Sequence, residues 1–159
     1  MNFNIQKYYN NYSQATTLAF FRLAFGLMMV FSIIRFASFG WIDKLYIQPQ
    51  FHFSYYGFEW VKPIGNYTYI IFLIAGISAF LLAIGYKYRF ASILFFLSFT
   101  YIELMDKTTY LNHYYFISII SFLLIFLPAN ATFSVDAYKN KALSFEKIPK
   151  WNIDIIKII

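Results

Sequence analysis

The stretch from Tyr67 to Gly85, YTYIIFLIAGISAFLLAIG, carries no charged side chain, and this constrains the chain more than any other feature. Its length and apolarity match the roughly 20 residues that a helix needs to cross a hydrocarbon core. Three further segments resemble it. The first, Thr17 to Phe39, is interrupted only by Arg22 and Arg35; another runs from Phe90 to Met105; the last, Thr109 to Leu127, is stopped by Pro128 and Asn130. The polar turn Tyr86-Lys87-Tyr88-Arg89 between the second and third segments predicts that these two run antiparallel.

Composition points to the same solvent. Hydrophobic residues make up 60% of the chain and aromatic residues 25%, whereas only 13% are charged, about half of what soluble domains carry. With 21 Phe and 15 Tyr in 159 residues, a small water-soluble domain could not hide its rings, because it leaves much of its surface exposed. Membrane lipid is the expected surrounding. The length allows one domain of a few spans and excludes a multidomain enzyme, a disordered regulator and, with no Cys, a disulfide scaffold or thiolate chemistry. No internal repeat is evident, and the polar opening MNFNIQKYYNNYSQ argues against a cleaved signal peptide. The expected fold class is all-α: a polytopic membrane protein of four transmembrane helices (17–39, 67–85, 90–105, 109–127) in a single domain 1–159. An aromatic interfacial loop and the start of a fifth helix near residue 150 complete it.

The net charge of +6 is too thinly spread for nucleic acid, but its distribution orients the chain. With four spans, one side collects Lys7, Lys87, Arg89, Lys139, Lys141, Lys147, Lys150 and Lys157, and the other only Lys44, Lys62 and Lys107. Positive charge stays cytoplasmic. Loops one and three therefore face the periplasm or exterior, as in a bacterial inner-membrane protein, with both termini cytoplasmic.

That outward side holds the unusual residues. Loop one, Gly40 to Asn66, mixes aromatics with Asp43, Lys44, His52, Glu59 and Lys62; it suits rings lying at headgroup level, or a roof over a pocket to which His52 contributes. Around loop three, Glu103 and Lys107 stand four apart and could pair on a helix, and Thr108 or Thr109 could cap the next helix. Asn112 and His113 then fall in a first helical turn, where free N–H groups disfavour a protonated imidazole; a neutral His113 can exchange a proton or polarise an oxygen. Arg22 is expected to snorkel, and Arg35 to pair with Glu103 at similar depth. Dinucleotide and phosphate loops, HExxH and GxSxG are missing, and two histidines 61 positions apart suggest no metal site.

The run Asp106 to Tyr115, DKTTYLNHYY, followed by Pro128 to Ala137, PANATFSVDA, resembles the vitamin K-dependent gamma-carboxylases and their bacterial relatives, the HTTM proteins. FRLAFG (Phe21 to Gly26), FHFSYYGFEWVKP (Phe51 to Pro63) and IPKWN (Ile148 to Asn152) agree in order. The resemblance implies a membrane enzyme that oxygenates reduced vitamin K, or a menaquinol-type hydroquinone, to an epoxide and uses the resulting base to take a proton from a protein glutamate. Carbon dioxide then adds to the carbanion, so oxygen and carbon dioxide are co-substrates and no metal is required. It implies that His113 and Asn112 match the family's catalytic Asn-His pair, with Asp106 and Lys107 in its preceding Asp-Lys. Glu103, Tyr110, Tyr114 and His52 are candidates for support, and Tyr110, His113 and Tyr114 for quinone contact.

The family's lysine base lies beyond IPKWN, where this sequence ends, so the expectation is an N-terminal portion that is inactive alone; Lys107 is not a substitute. WNIDIIKII resembles the opening of a fifth helix. Two other functions fit the residues: a small DoxX-like quinone-binding redox subunit, and a non-catalytic membrane scaffold.

Overall fold

A computed structural model describes residues 11–158; Lys7 and Ile159, both used above, lie outside the described residues. Helix α1 (Ala15–Ser38) leads into loop one, which contains a short π-helical turn at Asp43–Ile47. Helices α2 (Thr68–Ile84) and α3 (Tyr88–Leu104) follow, then a 3-10 turn at Lys107–Thr109 and α4 (Asn112–Phe126). A short helix α5 (Val135–Lys139) precedes the last helix, α6 (Trp151–Ile158). Strands β1 (Tyr12–Gln14) and β2 (Lys147–Pro149) pair antiparallel with Ser13 opposite Ile148, a small departure from an all-α chain.

The chain is mostly helical, and two of its helices are long and apolar enough to cross a membrane: Ala15–Ser38, with mean hydropathy 2.0, and Gly65–Ile84, with 2.2. Helices α3 and α4 are shorter, at 17 and 15 residues. All four carry large apolar side chains on their outer faces, among them Phe31, Leu73, Leu97 and Phe126, each 58% or more exposed.

Helix α1 packs on α2, α2 on α3 and α3 on α4, and α6 packs on α1. Small residues bring the backbones together: Ala75, Ala79 and Ala83 on α2 are buried, and a Cβ placed on Gly26 of α1 would sit 2.7 Å from the Ala83 Cα. Such close approach is what holds helices together where lipid weakens the hydrophobic drive between them. Buried serines do not interrupt this packing, because their hydroxyls donate back to their own helices: Ser78 to Ile74 O and Ser92 to Tyr88 O, both at 2.8 Å.

The end of the bundle that carries β1 and β2 is closed by the segment 128–137. The Asp136 carboxylate accepts from the backbone N–H groups of Lys87 and Tyr88, both at 2.9 Å, and so caps α3. The Asp136 N–H donates to Gly85 O at 3.0 Å. Arg22, expected to snorkel, is instead fully buried: Phe133 lies against Phe20, and the Phe133 carbonyl accepts from Arg22 Nη2 at 2.6 Å. The folded-back segment covers the guanidinium before it can reach headgroups, and Arg22 Nε and Nη1 are left without partners. Gly85, at φ 67°, fits nothing larger, since a Cβ there would fall 1.7 Å from Arg22 Nη1.

Gly26→Val is therefore expected to destabilise the bundle by about 1–3 kcal/mol through overpacking, read as a lower melting temperature in detergent. Gly76→Ala, whose Cβ meets Ile33 at an ordinary 3.6 Å, should leave the melting temperature unchanged or raised. Equal losses from both would show that the α1–α2 approach is not limiting.

Candidate functional site

The opposite end is organised by Asp106, buried at 4% exposure. Its Oδ1 accepts from the Thr108 N–H at 2.8 Å, from Thr108 Oγ1 at 2.9 Å and from the Phe53 N–H of loop one at 3.4 Å. The Lys107 N–H answers by donating to Phe53 O at 2.9 Å. Loops one and three are thereby joined at one end of the bundle. Helix α3 stops at Leu104, so Glu103 and Lys107 share no helix face; Lys107 Nζ lies 5.2 Å from the Tyr55 ring instead. Neither Thr108 nor Thr109 caps α4, which begins at Asn112 after an uncapped Leu111; their hydroxyls serve Asp106, Thr109 Oγ1 donating to its carbonyl at 2.9 Å.

Under these loops lies a small, largely apolar cavity of about 40 Å³. Phe36 and Phe72 stack on one side with centroids 5.3 Å apart, and Phe99 meets Tyr114 edge to face at 6.0 Å on another. Tyr46, Glu103, Thr109 and Tyr110 bring the polar atoms. Glu103 Oε2 accepts from the Ser118 hydroxyl, and Glu103 Oε1 is buried with no partner. The expected pairing with Arg35 is replaced by this bond across α3 and α4, while Arg35 is exposed and lies 5.9 Å from the Trp41 ring. An apolar groove of about 460 Å³ between α1 and α2 shares Ile33 and Phe72 with the cavity.

Among the residues singled out by sequence, Glu103, Tyr110 and Tyr114 line the cavity, and Asp106 holds its roof. Asn112 and His113 are exposed in the first turn of α4 and lie outside the lining; the His113 ring abuts Tyr114 at 4.6 Å, one ring from the cavity. His52 is half-buried with Nε2 unpartnered, also outside the lining. Tyr46 was not singled out. Its signal lay in the i, i+4 spacing of Ile42 and Tyr46, both buried, which turns one face of loop one into the core. Tyr46 OH pairs with Thr109 Oγ1 at 3.4 Å, and burial, partly offset by that bond, pushes its phenol up to about 12.

A family model described as the HTTM domain matches residues 10–159. No solved structure matches the chain.

Two outcomes follow from this geometry. In an ultraviolet titration, wild type minus Tyr46→Phe should give a tyrosinate difference with a midpoint near pH 12, well above the ordinary value near 10; because the folded phenol keeps its proton longer, Tyr46 favours the folded state fully below about pH 10 and loses that contribution as pH rises through 12. Asp106→Ala should cost about 1–2 kcal/mol as a lost turn cap and speed hydrogen exchange at both Thr108 and Lys107. Exchange confined to Thr108 would mean that Asp106 does not join the loops.

The match spans nearly the whole chain and coincides with the sequence motifs that build both ends of the bundle, so this protein belongs to the HTTM domain family.

Proposed function

We propose that this chain is the membrane domain of a vitamin K-dependent gamma-carboxylase-like protein. It crosses the membrane four times through α1 to α4, loops one and three face outward, and its cavity end receives a hydroquinone. The observation that carries this is local: the DKTTYLNHYY segment, tied down by Asp106, sets Tyr110 and Tyr114 in the wall of an aromatic cavity that also holds an unpaired carboxylate oxygen. The wall has the chemistry a flat, membrane-soluble quinol needs, with rings for stacking and few polar groups for orientation. At about 40 Å³ it is far smaller than the several hundred Å³ usual for a small-molecule pocket, so a ring enters only as the side chains open. The adjoining α1–α2 groove offers apolar room for a tail.

When bound and oxygenated, the hydroquinone supplies the strong base that removes the glutamate proton before carbon dioxide adds. The chain's own part is to bind, orient and exclude water. His113, in contact with Tyr114 at the rim, hydrogen-bonds the quinol once the rim opens, with Asn112 beside it. The glutamate-bearing protein approaches from the loop side. Four membrane crossings are supported by the exposed apolar side chains on all four helices and by the lysine-rich segments that share the opposite end.

In lipid nanodiscs the protein should bind reduced vitamin K, and His113→Ala should weaken binding about tenfold, the loss of roughly 1.4 kcal/mol, with insertion unchanged. Unaltered affinity removes His113 from the site; no binding by wild type favours the scaffold. Because the chain contains no native Cys, Tyr56→Cys and Tyr138→Cys, at positions 95% and 89% exposed, report topology directly. Tyr56→Cys should label on intact cells and Tyr138→Cys only after permeabilisation; labelling of both from one side contradicts the four-crossing arrangement.

A further inference from the structure

The Glu103 carboxylate is placed in a way that neither the helix packing nor the turn chemistry of the loops explains. It sits one residue before the end of α3, in a cavity wall otherwise made mainly of aromatic and aliphatic side chains. One of its oxygens is occupied: Oε2 accepts from Ser118 Oγ on α4, and Ser118 in turn is approached by Thr100 Oγ1 at 3.4 Å. That arrangement orients the carboxyl group across the α3–α4 contact. The other oxygen, Oε1, is shielded from solvent and has no partner. A buried acceptor left unpaired is destabilising, and such a group in a folded protein calls for a specific explanation, a bound partner being one. Arg35, the cation at similar depth, does not complete it, being engaged with Trp41. The neighbouring phenol of Tyr46 is turned to Thr109.

We propose that Glu103 Oε1 is the acceptor for a ligand hydroxyl, so that the cavity binds the reduced, hydroxyl-bearing form of a quinone in preference to the oxidised form. This rests on the quinol-binding reading above and adds to it a residue and a direction of selectivity. The two redox forms of one quinone have nearly the same shape and the same apolar area, so stacking and the α1–α2 groove treat them alike. They differ in the hydrogens. A quinol hydroxyl donates to Oε1, whereas a quinone carbonyl presents a lone pair to a lone pair. One hydrogen bond open to the quinol and denied to the quinone corresponds to a preference of about tenfold. Ser118 and Thr100 act as positioning residues, tying Oε2 to α4 and leaving Oε1 as the oxygen without a protein partner.

The test measures affinities of phylloquinol and phylloquinone, each under anaerobic conditions, for the protein in nanodiscs. Wild type should prefer the quinol about tenfold. Glu103→Gln keeps an acceptor for Ser118 and the side-chain volume but presents N–H donors to the ligand, so the preference should vanish or invert while the melting temperature is held. Equal affinities for the two forms in wild type, or an undiminished preference in Glu103→Gln, overturn the role of Glu103 and leave the quinol-binding reading standing. Failure of both forms to bind wild type overturns that reading and this inference with it. If Glu103→Gln does not fold, infrared difference spectra of wild type decide: a carboxyl-stretch change on adding quinol but not quinone supports the assignment, and identical spectra for the two refute it.

Discussion

A bundle with so much apolar surface must still place its polar backbone ends, and two aspartates do this at opposite ends of α3. Asp136 receives the free N–H groups at the start of the helix, and Asp106 receives those of the turn beyond its end. Sixteen residues separate Tyr88 from Leu104, about 24 Å at the helical rise, so the two carboxylates bracket the length of the bundle. Each also reaches into a distant part of the chain. Asp136 ties the segment after α4 to the α2–α3 turn, and Asp106 ties loop one to loop three through Phe53. Without the second of these ties the cavity would lose its roof, since Tyr46 and Thr109 meet only because the loops are joined.

The two ends enclose different chemistry. At the β1–β2 end the packing around a buried cation is tight. Arg22 is fully buried, Gly85 admits no side chain, and the Phe133 carbonyl fills the space next to the guanidinium. Arg22 Nε and Nη1 lack partners at that end, and the loop end also encloses unpaired polar atoms, beside an aromatic cavity. Glu103 Oε1 and His52 Nε2 are both unpartnered there. An unpaired acceptor in an apolar wall weakens the fold and strengthens recognition of a donor, such as a hydroxyl of the proposed quinol.

Much of the helical framework could be read from sequence because apolar runs bounded by Gly, Pro and charge signal a helix without reference to anything distant. The α2–α3 hairpin follows from Gly85 and the polar turn after it. The site was legible only in part. The motif residues Asp106, Tyr110 and Tyr114 stand out through the DKTTYLNHYY resemblance, and Glu103 through its spacing to Lys107 and its depth beside Arg35. Its partner does not stand out. Pairing with Arg35 is reasonable by depth alone, yet depth does not say which helix faces which, and Ser118 is the residue that α4 presents to Glu103. Arg22 was misplaced for a related reason: the segment that buries it lies 111 residues away in sequence.

The sequence by itself determined most of the helical segments, their apolar character, the charge asymmetry between the two ends and the family, because each of these depends on composition, local spacing or motif. Only the tertiary structure decided that Tyr46 joins the cavity wall, that Asn112 and His113 lie outside its lining with His113 against Tyr114, and that Glu103 in that wall keeps one oxygen unpaired. Those outcomes depend on the rotation of each helix about its axis and on hydrogen bonds between loops far apart in sequence, and neither is written in the residues one stretch at a time.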